Sequence, residues 1–327
     1  MDWRRHTRRK GLSHGVSACL AALALALILS GLSGCAGTSV SASLPTVTGQ
    51  AARAVMSTAT PTATPTSSPL PPAPSLTARA AYLLNPASGQ VYLANNANAK
   101  LAMASTTKIM TAVVALTYGK LDQQITVGAD AVALQNGIAS VAGVQLGDKI
   151  ALRDLLYGLL LPSGDDAAVV IADGIAGSQT RFVQLMNLEV FLLGLTSTHY
   201  ANVHGLDAPG HYTTARDLAT LAEFAMRFPA FRQVVGTTTY ALPASATHTA
   251  YTWTTTNELL TDMPYSGVTG IKTGFTGNAG ECLAFAATRP AGNLIGVVLG
   301  EPDAQSRFTD ATTLLNWGFG IEQSQGK

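Results

Sequence analysis

Apolar positions change their spacing several times along the chain, and each change marks an element. Ala80 to Leu84 and Gln90 to Ala94 are short apolar runs separated by Asn85-Pro86-Ala87-Ser88-Gly89, a string of turn formers, and together they predict a β-hairpin. From Met103 to Tyr118 the residues Ile109, Met110, Val113, Val114 and Leu116 recur at helical intervals up to Gly119. Lys149 to about Phe231 predicts mainly helix, with apolar stripes over Asp165 to Asp173, Gln179 to Leu193 and Thr214 to Phe228. Beyond Val234 short strands return, at Thr237 to Leu242, Thr249 to Thr255, Cys282 to Thr288 and Leu294 to Leu299. A last helix is expected from about Ser306 to Trp317, ending before Gly318. Strands at both ends with helices between them place the body in the α+β class: an antiparallel sheet flanked by helices, plus a helical lobe.

The first 78 residues follow a different pattern. A basic start up to Lys10 precedes an uncharged apolar run from about Val16 to Leu32, the signature of an export signal. The competing reading is an uncleaved membrane anchor, because a run of about 17 apolar residues approaches the span of a bilayer. Leu32-Ser33-Gly34-Cys35 resembles the bacterial lipobox, which implies cleavage before Cys35 and a diacylglycerol on its thiol. Residues 36–78 hold seven of the chain's fifteen prolines among Ser, Thr and Ala, a composition that buries no core and serves as a tether. The chain thus divides into a lipoprotein signal (1–34), a tether (35–78), a globular body (79–320) and a short tail (321–327). The body is expected on the outer face of the cytoplasmic membrane, held there by a lipid on Cys35.

Charge and cysteine usage narrow the function. Only 12% of the residues are charged, and Lys+Arg 20 stand against Asp+Glu 19. Arg4, Arg5, Arg8, Arg9, Lys10 and Asp2 fall within the first 34 residues, so the remainder holds 15 basic against 18 acidic residues, a net −3. Such a body lacks the clustered basic excess that binds nucleic acid. Cys19 and Cys35 leave Cys282 alone in the body, so no internal disulfide is available. With neither C-x-x-C nor H-E-x-x-H, and no acidic ligands spaced to match His199, His204 and His211, a zinc site is not expected. Gly11-Leu12-Ser13-His14-Gly15 matches a nucleophile elbow, but it sits in the export signal with no preceding strand.

Three segments remain that carry chemistry. Ser105-Thr106-Thr107-Lys108 begins an apolar helix, and residues three apart share a helix face, so the Ser105 hydroxyl and the Lys108 amine lie one turn apart. A serine becomes a nucleophile when a neighbour takes its proton, and lysine does so once its pKa is lowered. Ser163-Gly164-Asp165 puts a hydroxyl on a turn before a helix; its ordinary reading is an N-cap by Ser163 or Asp165. Lys272-Thr273-Gly274 reads either as a strand edge with an exposed lysine or as a cation and hydroxyl beside a glycine that admits a ligand. Each alone is weak. In this order and at these separations they match the motif set of the penicillin-interacting serine acyltransferases.

From about Arg79 to Phe319 the chain resembles the low-molecular-weight penicillin-binding proteins, the serine-type D-alanyl-D-alanine carboxypeptidases. Met103 to Ala112, His204-Gly205-Leu206, Thr213 to Leu218, Thr256 to Leu260, Gly270 to Cys282 and Asn316 to Phe319 extend the match beyond the motifs. The resemblance implies the penicillin-binding-protein/β-lactamase-like transpeptidase fold and no cofactor or metal. It implies that Ser105 attacks the penultimate D-Ala of a peptidoglycan stem peptide, with Lys108 as general base and Ser163 relaying a proton to the leaving amine. Lys272 and Thr273, beside Gly274, would receive the substrate's carboxylate, with Lys272 also helping to keep Lys108 deprotonated. The backbone N–H groups of Ser105 and Phe275 would form the oxyanion hole, and β-lactams would acylate Ser105.

One position departs from the family pattern. Asp165 stands where the family usually has Asn, and a carboxylate there is expected to favour the charged form of Lys108 or Lys272 and to repel the substrate's carboxylate. A D,D-endopeptidase on the same scaffold, or a weakly active penicillin-binding wall lipoprotein, are the competing readings. A β-lactamase is disfavoured, because no segment matches the glutamate that positions its deacylating water.

Overall fold

Strand β1 (Ala80–Leu84) is apolar and buried at every position, which requires cover on both faces of its sheet. Ala80, Tyr82 and Leu84 enter one core and the alternate residues Ala81 and Leu83 enter a second. The computed structural model in which this is seen describes residues 70–137 and 139–325; the export signal, Cys35 and the tether up to residue 69 lie outside the described residues.

The remaining strands are β2 (Val91–Asn95), β3 (Gln124–Thr126), β4 (Lys149–Ala151), β5 (Thr239–Leu242), β6 (Tyr251–Thr254), β7 (Val268–Thr276), β8 (Gly280–Arg289) and β9 (Gly292–Glu301). The helices are α1 (Lys108–Tyr118), α2 (Ala129–Ala133), α3 (Leu152–Leu160), α4 (Asp165–Ala176), α5 (Gln179–Leu192), α6 (Ala215–Ala225), α7 (Pro229–Val235) and α8 (Ala304–Gln325). Five strands form one antiparallel sheet in the order β2-β1-β9-β8-β7, while β3-β4 and β5-β6 are separate pairs. The first core joins the sheet to α1, α3, α4 and α6, with Ile109, Val113, Leu155, Val169 and Leu218 among its members. The second core seats Phe308, Leu314, Leu315 and Phe319 of α8 on the opposite face. This is the antiparallel α+β arrangement that the strand and helix order predicts.

Several boundaries move. The expected helix from Met103 divides into a tight 3-10 turn, Ala104–Thr107, followed by α1. The helix expected over Thr214 to Phe228 ends at Ala225, and β2 begins one residue later than predicted. The closing helix does not stop before Gly318. A Cβ at that glycine would lie 2.8 Å from Leu294 and 2.9 Å from Leu83, so Gly318 marks a close approach of helix to sheet and not a terminus. Residues 321–325 therefore belong to α8 and not to a tail, and Ile321 is buried. At the other end Leu76 packs on the second core, and the amides of Thr77 and Ala78 donate to Asp310 at 2.7 and 3.1 Å. The body thus starts before residue 79.

Candidate active site

The 3-10 turn is what brings the first pair together. Ala104 adopts a left-handed backbone (φ 48°), and within such a turn side chains three residues apart eclipse one another. Lys108 Nζ accordingly lies 2.8 Å from Ser105 Oγ. It also donates to Asp165 Oδ1 at 2.5 Å and to the carbonyl of His204 at 2.7 Å, so each of its three donor positions has an acceptor. Lys108 is fully buried. Burial lowers its pKa from the ordinary lysine value, and the charge and hydrogen bond of Asp165 oppose that shift.

The second segment turns just before α4. Ser163 has φ 66° and a buried hydroxyl with no hydrogen-bond partner in the fold, a group that water or a ligand must satisfy. Neither Ser163 nor Asp165 caps the helix; Gly164 holds that position. Asp165 is buried against Lys108, while its neighbour Asp166 turns the other way. The Asp166 carboxylate accepts from the amides of Ala142, Gly143 and Val144 at 2.7, 2.8 and 3.3 Å and from Gln135 Nε2 at 3.0 Å. Asp166 thereby clamps the 142–144 loop beside the motif. Its replacement by alanine would leave those donors without an acceptor and is expected to lower the unfolding free energy by about 2 kcal/mol in denaturant titration; a change under about 0.5 kcal/mol would refute the clamp.

The third segment lies on β7, an edge strand whose partner is β8. Lys272 is buried, with 1% of its surface exposed, which overturns the reading of an exposed strand-edge lysine. Its Nζ donates to the Thr273 carbonyl at 2.9 Å and, among the described residues, meets no carboxylate within ion-pair distance. Burial holds its pKa well below the usual lysine value, and the charges of Lys108 and Arg307 push the same way while Asp165 opposes them. Thr273 is buried and its hydroxyl meets that of Thr256 at 2.5 Å. A Cβ on Gly274 would come within 2.9 Å of the Ser105 nitrogen, so only glycine lets β7 pass this close to the nucleophile turn. Phe275, the next residue, exposes its ring. The structure thus sets Lys108 between Ser105 and Asp165 and brings Gly274, with Lys272 and Thr273 on the same strand, against the nucleophile turn, while Ser163 stands two residues ahead of Asp165.

Each of the three histidines has a partner of its own. His211 Nδ1 accepts from the Ala201 amide at 3.0 Å, which leaves the proton on Nε2 to donate to Thr107 Oγ1 at 2.8 Å. Burial and neighbouring positive groups push its pKa down to about 4, so it supports the nucleophile turn as a neutral ring. His199 Nδ1 meets the Gly210 carbonyl at 2.7 Å, and His204 serves Lys108 through its backbone. Sequence reasoning missed that carbonyl, the Asp166 clamp and Asp207, whose carboxylate accepts from Thr276 Oγ1 at 2.8 Å. A backbone acceptor leaves no mark in the sequence, but the doubled acid at 165–166 was a signal that two carboxylates have separate partners.

A family profile described as D-alanyl-D-alanine carboxypeptidase matches residues 66–303. A D-alanyl-D-alanine carboxypeptidase of a Streptomyces species is 38% identical over 263 residues, which span 76% of this chain and 89% of that protein. The D-alanyl-D-alanine carboxypeptidase DacC of Escherichia coli is 40% identical over 255 residues, and there the chain spans only 62% of the relative's length. Among solved structures, a Streptomyces DD-transpeptidase superposes with a TM-score of 0.72 at 37% identity, covering 76% of this chain and 98% of the other. A D-alanyl-D-alanine carboxypeptidase from Mycobacterium tuberculosis superposes with a TM-score of 0.70 at 31% identity, covering 77% and 94%. With a family profile over most of its length and relatives of this identity and coverage, the chain belongs to the D-alanyl-D-alanine carboxypeptidase family.

Proposed function

We propose that this chain removes the terminal D-Ala from peptidoglycan stem peptides through an acyl-enzyme on Ser105. The observation that carries this reading is the 2.8 Å contact between Ser105 Oγ and the amine of a fully buried lysine whose pKa is lowered. Deprotonated Lys108 takes the Ser105 proton as Oγ bonds to the carbonyl carbon of the penultimate D-Ala. The developing oxyanion meets the amides of Ser105 and Phe275; loss of one such donor typically costs two to three orders of magnitude in rate. The unpartnered Ser163 hydroxyl relays the proton to the leaving amine as the C–N bond breaks, and water then hydrolyses the ester. Lys272 and Thr273 receive the terminal carboxylate, whose charge favours the protonated form of the buried Lys272 amine.

Nα,Nε-Diacetyl-L-Lys-D-Ala-D-Ala tests this reading. Sustained release of free D-Ala over many turnovers, together with one-to-one labelling by a fluorescent penicillin, is the expected outcome. Labelling without peptide turnover would leave a penicillin-binding wall protein in its place. Release that requires an added amine acceptor would make the acyl transfer a transpeptidation, the activity in the names of several structural relatives.

A further inference from the structure

Strand β7 has one open edge, and an edge strand accepts a peptide as an added strand. The register of such a peptide rests on the peptidase reading above, with its carboxylate at Lys272 and Thr273 and its scissile carbonyl at Phe275. The substrate then runs antiparallel to β7, and its earlier residues pass Thr276. Strand residues advance about 3.3 Å each, so the residue just before D-Ala-D-Ala lies beside Thr276. Lys272, Gly274 and Thr276 alternate onto the same side of β7, and Gly274 on that side abuts the Ser105 amide. Thr276 therefore faces the nucleophile's side of the cleft, where its hydroxyl donates to Asp207 Oδ1 at 2.8 Å.

Asp207 is exposed, and among the described residues it has no basic partner within ion-pair distance. Its loop is held in place: Asn202 Oδ1 accepts from the Gly205 amide at 2.7 Å, and Asn202 Nδ2 donates to the Leu206 carbonyl at 2.8 Å. The same loop supplies the His204 carbonyl to Lys108, so it is fixed relative to the reacting atoms. We propose that Asp207 is a specificity residue: it selects substrates whose residue preceding D-Ala-D-Ala carries a long side chain ending in an ammonium, which pairs with the carboxylate oxygen that Thr276 leaves free.

Two peptides decide it, Nα-acetyl-L-Lys-D-Ala-D-Ala with a free side-chain amine and its Nα,Nε-diacetyl counterpart. Each is measured for protection of Ser105 against fluorescent penicillin, which needs no turnover, and for D-Ala release. The free amine is expected to protect at about threefold to fivefold lower concentration, the size of an exposed ion pair. The ratio should fall to about one in 1 M salt. It should do the same in Asp207→Asn, which keeps an acceptor for Thr276. Equal protection by the two peptides in the native protein, protection by neither, or a preference that survives Asp207→Asn overturns the assignment. D-Ala release without discrimination overturns the assignment of Asp207 alone; discrimination without release overturns the turnover reading and leaves Asp207 in place.

Discussion

Lys108→Ala is expected to slow penicillin acylation of Ser105 by about four orders of magnitude or more, because a catalytic serine that loses its base loses nearly all that the pair contributes together. The Lys108 amine is the group hydrogen-bonded to Ser105 Oγ, and among the described residues no other side chain bonds that hydroxyl. The substitution also leaves the Asp165 carboxylate buried without its cation, so unfolding free energy should fall by about 3 kcal/mol. The acylation rate is best taken well below the variant's unfolding midpoint. A loss of less than tenfold in a folded Lys108→Ala protein would remove lysine from the mechanism.

Asp165→Asn acts on the same ion pair with the opposite sign. The base must be neutral to accept the Ser105 proton, so acylation rises with pH through the Lys108 pKa. Burial lowers that pKa and the Asp165 carboxylate raises it again. Asparagine keeps a hydrogen-bonding oxygen but not the charge, so the pKa drops and the rising limb of the pH–rate profile moves to lower pH. Removing one buried opposite charge shifts a pKa by about one to two units, which corresponds to a tenfold to hundredfold gain on that limb. A profile that stays in place, or moves to higher pH, would refute this account of the departure at position 165.

What could be read from the sequence was the chemistry that is contiguous. Ser105 with Lys108, and Lys272 with Thr273 and Gly274, are close in the chain, and their spacing already encodes which side chains meet. The close approach behind Gly274 and the eclipsed geometry of the 3-10 turn refine that reading without changing it. What escaped depends on distant partners. Asp165 and Asp166 are identical side chains one residue apart, yet one faces Lys108 and the other the 142–144 loop, because successive helix positions point about 100° apart. Strands β3 and β4 are three residues each, too short for any period to register. Gly318 imitates a helix stop, and only the packing of α8 on Leu83 and Leu294 shows why the helix continues.

Strand β1 joins the two ends of the body. It pairs on one side with β2, a few residues away, and on the other with β9, where Ala80 stands opposite Leu299 and Leu84 opposite Ile295. Closing that seam means searching a loop of some two hundred residues, the kind of long-range pairing that makes folding slow. Strands β8 and β7, with Lys272, reach the rest of the sheet only through β9. The strand that carries Lys272 therefore has two supports, the nucleophile turn against Gly274 and the sheet that β9 ties to β1. Competence to react thus depends on a seam between the two ends of the body, and loosening β9 from β1 loosens the strand that holds the second lysine.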